Sequence, residues 1–304
     1  MDIELVLAGF LAAAVRIATP LLLAATGELI NERAGVMNLG LEGAMLAGAL
    51  AAAIGSVAGG PWLGVLVGVG AGFLVAGIFG AVVIGAGAQQ IIAGTAVTMG
   101  SIGLTGMVAR TAFGPEGPGL TIPTFGPLPI PVLREIPVVG PALFEQSLLT
   151  YLSWLLVPVS GWFLFHTFPG LSLRASGESA LATRAAGVPV DRVRMLATLG
   201  GGALGGLAGA SLVLAQVGTF AERMTAGRGF IAIAIVVLGR WRPGGVLLAA
   251  LLFGGAGALQ FAFQALGLEV PYQLFLAMPY GLALLALAGV GGWGRSNAPR
   301  ELGR

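Results

Sequence analysis

Long apolar runs alternate with short polar segments along the whole chain. A helix needs about 20 consecutive apolar residues to cross the ~30 Å hydrocarbon core of a bilayer. Eight runs have roughly that length: 5–26, 39–58, 61–86, 89–109, 147–168, 196–218, 244–266 and 273–292. A ninth run, 229–239, is too short to cross as a regular helix and suits a half-helix covered by protein. The pattern predicts an all-α polytopic transmembrane helix bundle of about eight spans plus a half-helix, forming a single domain over residues 1–304.

Composition supports this prediction and excludes several functions. Hydrophobic residues make up 57% of the chain and charged residues only 9%, against about 25% charged in a typical soluble domain. All 15 basic residues are arginine and cysteine is absent, which excludes a Walker A loop, a Schiff-base mechanism and a thiolate metal site. No basic stripe is present, so nucleic acid is not an expected partner. Neither a cofactor nor a metal is expected.

Arg16 interrupts the first apolar run near its middle. An arginine at the centre of a membrane helix costs about 2.5–3.5 kcal/mol on insertion scales. Either Arg16 faces the interior of the bundle, or the helix is split there and Pro20 opens its second part.

Arginines between the runs predict the orientation of the chain. They concentrate in the loop 169–195, in the turn 240–242 and in the tail 295–304, which the count of spans puts on one side of the membrane. By the positive-inside rule that side, including the C-terminus, is cytoplasmic. The connector 110–146 is then extracytoplasmic.

The connector 110–146 is rich in proline, which disfavours helix and suits extended, semi-rigid backbone. Its prolines are Pro115, Pro118, Pro123, Pro127, Pro129, Pro131, Pro137 and Pro141. The segment is either a plain link between two spans or a docking surface for a partner outside the membrane.

Glycines recur at intervals of four residues in two of the predicted spans. They are Gly64, Gly68 and Gly72 in the third run and Gly201, Gly205 and Gly209 in the sixth. Small residues at this spacing let helix backbones approach closely in lipid. We therefore expect these glycines to be packing residues.

The stretch 27–48 places polar groups between two apolar runs. They are Glu28, Asn31, Glu32, Arg33, Asn38 and Glu42. Such groups are costly near hydrocarbon unless they are paired or face an aqueous pathway. The three charged residues at the end of the first run are expected to form an ion-pair cluster at the membrane edge. The two asparagines and Glu42 are expected to line a pathway or to mark a helix break.

The loop 169–195 contains the signals of a short helix. Ser176 can cap a helix that begins near Gly177, Gly187 is a natural stop, and Pro189 starts the next helix. The short helix would show Leu181 and Ala185 on one side, which suits a groove of a cytoplasmic partner. Taken by itself, an ordinary interfacial helix would fit equally well.

Several long motifs, in order, resemble one family of ABC importer permeases. They are GELINERAGVMNLGLEGAMLAG, ASGESALATRAAGVPVDRVR followed by GGALGGLAGA, GRGFIAIAIVVLGRWRPGGVLLAALLFGGAGALQ and PYQLFLAMPYGLALLAL. The family serves branched-chain amino acids, simple sugars and nucleosides. The motifs ERAGVMNLGLEG and GRWRPGG are most similar to those of the second permease subunit of nucleoside importers.

The resemblance implies roles for particular residues. Those that match the coupling helix, which seats in the ATPase, are Gly177, Glu178, Leu181, Arg184, Ala185 and Gly187. Those that match the signature near the translocation path are Asn38, Gly40, Glu42 and Gly43. The implied partners are a cytoplasmic ABC ATPase, a second permease subunit that forms a heterodimer with this chain, an extracytoplasmic substrate-binding lipoprotein and the lipid bilayer.

The function implied is ATP-driven import of nucleosides by alternating access, with simple sugars or branched-chain amino acids as alternative cargo. Further candidates to line the cavity are Asn31, Gln89, Gln90, Thr95, Thr98, Gln260 and Gln264, although each could equally form an interhelical hydrogen bond worth about 0.6 kcal/mol. A secondary transporter is a rival, in which Glu42 or Arg16 would be the coupling charge. A membrane-embedded enzyme is a second rival, but it would need a catalytic constellation. The sole histidine, His166, is expected to be an interfacial anchor and not a catalytic group.

Overall fold

Seven helices in the described part of the chain are long and apolar enough to cross a membrane. The computed structural model describes residues 3–114, 122–265, 277–278, 281, 284 and 297–303. The seven are Val6–Arg33, Leu41–Gly59, Pro61–Gly85, Gln90–Phe113, Leu148–His166, Val190–Val217 and Pro243–Gln260. They match seven of the eight predicted spans and confirm the polytopic helix bundle. The eighth, 273–292, lies largely outside the described residues.

The helices follow one another with few other elements. They are α1 (Ile3–Arg33), α2 (Leu41–Gly59), α3 (Pro61–Gly80), α4 (Gln90–Phe113), α5 (Val139–Phe144), α6 (Leu148–His166), α7 (Phe168–Glu178), α8 (Ala180–Ala185), α9 (Val190–Leu212), α10 (Arg228–Leu238) and α11 (Pro243–Ala265). Helices α3 and α9 each continue into a π-helical turn, Ala81–Gly85 and Val213–Val217. The short strands β1 (Pro127–Pro129) and β2 (Glu145–Ser147) pair antiparallel. The predicted half-helix is confirmed as α10, with 11 residues.

Helix α1 runs without a break through Pro20, so the predicted split is wrong. Arg16 is exposed on the surface of the chain, so the alternative, a side chain facing the interior of this bundle, is wrong as well. Proline has no N–H to donate to the carbonyl four residues earlier, which here is that of Arg16. The side-chain amide of Gln216 donates to this carbonyl instead. The bond satisfies a backbone group that the proline would otherwise leave free.

The glycines spaced four residues apart in α3 and α9 let these helices pack directly against each other and against α2. A Cβ atom on Gly72 would lie 2.6 Å from the Cα atom of Gly206. A Cβ atom on Gly68 would lie 2.9 Å from the carbonyl oxygen of Gly48 in α2. Both distances are too short for a side chain, so the predicted packing role is confirmed.

The connector between α4 and α6 packs on the ends of α2 and α9. Ser56 Oγ donates to the carbonyl oxygen of Pro123 at 2.6 Å, and the N–H of Phe125 donates to that of Leu214 at 2.8 Å. Strand β1 has the extended backbone that its prolines predict. The expectation that the prolines disfavour helix is wrong at α5, because Pro141 lies in its first turn, where no backbone acceptor needs its N–H.

Four polar segments meet at the opposite end of the bundle, which we call the Arg33 end. They are residues 34–40, 167–189, 239–242 and 297–303. Arg33 donates to the carbonyl oxygen of Trp241, Arg194 donates to that of Ala34, and the N–H of Glu301 donates to that of Gly177. The three arginine-bearing segments from which the orientation is predicted, 169–195, 240–242 and the described part of the tail, therefore share one end.

Candidate functional site

The helix break between α1 and α2 folds back on the last turn of α1. Helix α1 ends at Arg33, and the N–H of Val36 donates to the carbonyl oxygen of Asn31 at 3.0 Å. The N–H of Asn38 donates to Glu28 Oε1 at 2.8 Å. Of the polar residues of the stretch 27–48, only Asn38 therefore lies in the irregular segment, while those before it belong to α1 and Glu42 belongs to α2. They do not form one continuous helix face.

Glu28 is the centre of the hydrogen bonds that hold this segment. Its second carboxyl oxygen accepts from Asn31 Nδ2 at 3.1 Å. Glu28, Asn31 and Asn38 are all completely buried. Within the described chain, Asn31 Oδ1 and both amide atoms of Asn38 have no hydrogen-bond partner. The predicted path residues Asn31 and Asn38 thus lie inside the bundle with spare polar atoms.

The prediction that Glu28, Glu32 and Arg33 form an ion-pair cluster is wrong. Arg33 donates from Nε and Nη2 to the backbone carbonyl of Trp241, and the indole N–H of Trp241 donates to Glu32 Oε2. Trp241 is buried and has a left-handed backbone with φ +54°. Sequence reasoning missed this residue, although an aromatic residue between two arginines in a turn was a signal for it.

Glu42 binds the first turn of the half-helix α10. Its Oε1 accepts from Thr225 Oγ1 at 2.6 Å and from the N–H of Gly227 at 2.9 Å, and its Oε2 accepts from the N–H of Gly229 at 2.6 Å. The first N–H groups of a helix have no partner within the helix, and a carboxylate there also interacts favourably with the helix dipole. A Cβ atom on Gly229 would lie 2.6 Å from the Cα atom of Glu42. Helix α10 is therefore held at its start by α2 and, through Trp241, at its end by α1.

Two more predicted path residues connect α4 to the helix break. Gln90 Oε1 accepts from the N–H of Met37 at 2.7 Å, and Thr98 Oγ1 donates to the carbonyl oxygen of Leu39 at 3.1 Å. Gln90 and Thr98 are both buried. These two side chains bind backbone groups of an irregular segment, which explains why polar residues occur at these positions in a span.

The two predicted glycines of this region lie where α2 begins. A Cβ atom on Gly43 would lie 2.7 Å from Ser101 Oγ of α4, and one on Gly40 would lie 3.1 Å from Asn38 Oδ1. The first distance leaves no room for a side chain. Gly43 therefore allows α2 to approach α4 closely, beside the residues that bind the break.

Three further predicted path residues lie in α4 and α11. Thr95 donates to carbonyl oxygens within α4, those of Ile91 and Ile92. Gln260 is half-buried in α11. The side chain of Gln264 lies outside what the structure describes. In the described chain no contact places Thr95 or Gln260 beside Glu42 or Glu28.

A cavity of about 310 Å³ opens at the Arg33 end, between the start of α4 and the start of α9. Its polar lining consists of Gln89, Gln90, Asp191 and Arg194. Gln89 is exposed and Gln90 is buried. The cavity therefore joins two predicted path residues to the polar first turn of α9.

The loop 169–195 folds into two helices, α7 and α8, where one was predicted. The predicted cap at Ser176 is wrong, because this residue is buried within α7 and its hydroxyl donates back into that helix. The cap of α8 is Ser179, whose Oγ accepts from the N–H of Ala182 at 3.3 Å. Gly187, with φ +82°, ends the turn after α8 as predicted.

Helix α8 projects most of its side chains away from the bundle. Leu181 is 81% exposed, and Glu178, Ala185 and Gly187 are exposed too. Arg184 is also exposed and forms an ion pair with Asp191 at 2.6 Å.

Gly177 is the exception among the residues predicted to contact the ATPase. It is buried, and a Cβ atom there would overlap the carbonyl group of Arg33 at the end of α1. Gly177 thus contacts the bundle, while the other five residues of this set face outward.

Comparison with known proteins agrees with this architecture. Residues 10–287 match the family described as the branched-chain amino acid transport system, permease component. TsgC13 of Haloferax volcanii, whose name provisionally describes a glucose ABC transporter permease protein, is 42% identical over 86% of this chain and 80% of its own. No solved structure matches the chain.

The relatives whose names refer to nucleosides include one from Bacillus subtilis and one from Lactococcus lactis. The guanosine ABC transporter permease protein NupQ of Bacillus subtilis is 34% identical over 100% of this chain and 98% of its own. The nucleoside ABC transporter permease protein NupC of Lactococcus lactis is 32% identical over 89% of this chain and 88% of its own. With a family match over most of its length and these relatives, the chain belongs to the branched-chain amino acid transport system permease family.

Proposed function

We propose that this chain forms half of the membrane channel of an ATP-driven importer whose cargo is a nucleoside. The observation that carries the substrate class is the match to NupQ, which spans the full length of this chain and nearly all of that protein. A nucleoside is neutral and polar, so amides and hydroxyls of the kind contributed by Gln90, Asn31 and Thr98 suffice to bind it. No charged counterpart is required.

A simple sugar is the second candidate cargo. It is favoured by the higher identity with TsgC13, and a sugar needs the same kinds of hydrogen-bonding groups as the ribose of a nucleoside. The nucleoside is preferred because two relatives with nucleoside names match the chain over most of both lengths.

The partners proposed are a cytoplasmic ABC ATPase, a second permease subunit in a heterodimer, and an extracytoplasmic substrate-binding lipoprotein. Helix α8 is the contact proposed for the ATPase. Its support is the exposed face that includes Leu181 and Ala185. A short helix with an exposed apolar side chain fits a groove on another protein.

The Arg33 end is proposed to be cytoplasmic and the connector extracytoplasmic. Support comes from the arginines at the Arg33 end, because short cytoplasmic loops carry an excess of basic residues. The chain has no cysteine, so single cysteines at Ala186 and Val132, both exposed, provide a direct test. A membrane-impermeant maleimide added to intact spheroplasts should label Val132→Cys and spare Ala186→Cys. The reverse result would invert the proposed topology.

The translocation path is proposed to pass the helix break 34–40 and the half-helix α10. Broken helices in membrane transporters line the substrate site, because irregular backbone is tolerated where it borders a cavity. In alternating access, ATP-driven closure of the ATPases would move α8, and the bundle would open its cavity to one side and then to the other.

The test is uptake of labelled guanosine, adenosine, ribose, glucose and leucine into proteoliposomes. The complete set contains this chain, its partner permease, the ATPase, the binding protein and internal ATP. Uptake of a nucleoside only by the complete, ATP-loaded set is the expected result. Uptake of glucose or ribose alone would favour the second candidate. Uptake by this chain alone under an ion gradient would overturn the proposal in favour of a secondary transporter.

A further inference from the structure

The end of α7, directly before the exposed helix α8, is bound by two other segments. Arg194 of α9 donates from Nη2 to the carbonyl oxygen of Ser176 at 3.2 Å. The backbone N–H of Glu301 donates to the carbonyl oxygen of Gly177 at 2.9 Å. The last carbonyls of a helix lack partners within the helix, so these two bonds replace the missing ones. They also fix the position from which α8 projects.

The same arginine binds the end of α1. Arg194 Nε donates to the carbonyl oxygen of Ala34, the first residue after α1, at 3.1 Å. A guanidinium group presents several donors in one rigid plane, so a single side chain joins the end of α7 to the end of α1. The carboxylate of Glu301 lies 4.0 Å from Arg194 Nη2, and the two side chains are only 24% and 16% exposed.

Helices α1 and α7 also touch each other at this point. Gly177 lies so close to the carbonyl group of Arg33 that no Cβ atom would fit. Arg33 and Glu32 in turn bind Trp241 at the end of α10. Contacts therefore run without a gap from α8 through α7 and Arg194 to the end of α1, and from there to the half-helix.

We propose that Arg194 is a positioning residue that transmits movement of α8 to the end of α1, and that Glu301 holds it in place for this task. The inference rests on the proposed function, because it takes α8 as the contact with the ATPase. Contact between elements is not evidence of coupling by itself. The test must therefore measure coupling separately from assembly.

The experiment uses the complete reconstituted importer and measures the number of nucleosides imported per ATP hydrolysed. Arg194→Gln should lower this ratio about fivefold, while the complex still assembles and hydrolyses ATP. Glu301→Ala should lower the ratio about twofold. Arg192→Gln is the matched control in the same turn of α9, since Arg192 is exposed, and Arg300→Ala is the control for the second site. Both controls should keep the wild-type ratio.

An unchanged ratio in Arg194→Gln would overturn the inference. So would loss of assembly with the ATPase in step with loss of uptake, because that result describes a structural residue. If Arg194→Gln does not fold, the import ratio of Glu301→Ala tests the inference, since this variant keeps the backbone bond to Gly177 and removes only the carboxylate. A wild-type ratio in that variant would then overturn it. A wild-type importer that moves no nucleoside would overturn the proposed function instead. In that case the number of molecules imported per ATP hydrolysed, measured with the cargo that the importer does move, would still test the role of Arg194.

Discussion

Two polar regions of this chain, residues 28–42 and residues 178–187, have opposite surroundings. In the first, Glu28 and Glu42 are buried, and their carboxylates accept hydrogen bonds mainly from backbone N–H groups. In the second, the side chains of Glu178, Leu181 and Ala185 are exposed. Polar residues between apolar runs therefore arise here for two different physical reasons.

The buried region uses carboxylates and amides to hold backbone that is not helical. An unpaired backbone N–H inside a membrane protein costs several kcal/mol. The break 34–40 and the start of α10 both contain N–H groups without a helical partner, and these side chains bind them. The exposed region has no comparable task, because α8 projects from the bundle and its cap, Ser179, comes from the same segment. Substitutions in the first region should therefore change folding, and those in the second should change transport alone.

Gly229→Ala is expected to have the largest effect on folding. The new Cβ atom would lie 2.6 Å from the backbone of Glu42, so α10 and α2 must move apart and the bonds to the Glu42 carboxylate must lengthen. We expect a loss of roughly 3 kcal/mol in the free energy of unfolding, measured by thermal unfolding of the purified chain in detergent. Gly244→Ala is the control, because a Cβ atom there meets nothing within 4 Å. Equal stability of the two variants would contradict the described contact.

Trp241→Phe is expected to have a smaller effect on the same measurement. The ring remains, but Glu32 loses the indole donor, and its other oxygen already lacks a partner in the described chain. A buried acceptor left without its donor costs about 1–3 kcal/mol. Trp62→Phe serves as the control, since Trp62 is 62% exposed. If both variants unfold at the wild-type temperature, the bond between Trp241 and Glu32 does not stabilise the fold.

The spans could be predicted from the sequence because lipid imposes a length and a composition on them. The half-helix α10 could be predicted as well, because its apolar run is short and ends at charged residues. The partners of Glu42 could not, since Gly227 lies 185 positions away and no local pattern marks a contact at that distance. The unbroken course of α1 through Pro20 was missed for the same reason, because the residue that bonds the carbonyl left free by the proline, Gln216, lies 200 positions from Arg16.

Within the candidate site, residue types could be predicted better than roles. Asn38 and Gln90 stood out as polar groups in apolar surroundings, but their sequence positions do not say that one is held by Glu28 and the other binds Met37. The cap of α8 was placed three residues too early, at Ser176 and not at Ser179. Both serines satisfy the local rule for a cap, and tertiary packing of α7 on α1 decides between them.

A third expected effect on the free energy of unfolding is smaller and depends on pH. Glu222 pairs with Arg110 at 2.9 Å on the exposed surface, and the hydrogen bond and charge of Arg110 lower the pKa of the Glu222 carboxyl below its ordinary value of 4.5. The ionised carboxylate is thus favoured in the folded chain. Its stabilising effect is present above pH 4.5 and is lost as pH falls through the lowered pKa.

Comparison of wild type with Glu222→Gln in thermal unfolding across that range tests the pair. The two should differ slightly near pH 7 and converge in acid. Repeating the scans in high salt gives a control, because screening weakens an exposed ion pair. A difference that grows as pH falls would mean that the pKa of Glu222 is not lowered.

Ala185→Arg is expected to have the smallest effect on folding and a large effect on transport. Ala185 is exposed on α8, so an arginine there should change the free energy of unfolding by no more than about 0.5 kcal/mol. If α8 seats in a groove of the ATPase, the bulky charge would nevertheless abolish ATP-driven uptake. Ala185→Ser is the matched control, with a small side chain that should leave uptake near wild type. Normal uptake by Ala185→Arg would remove this face of α8 from the mechanism, whereas loss of stability would mean that the exposed region supports the fold as the buried one does.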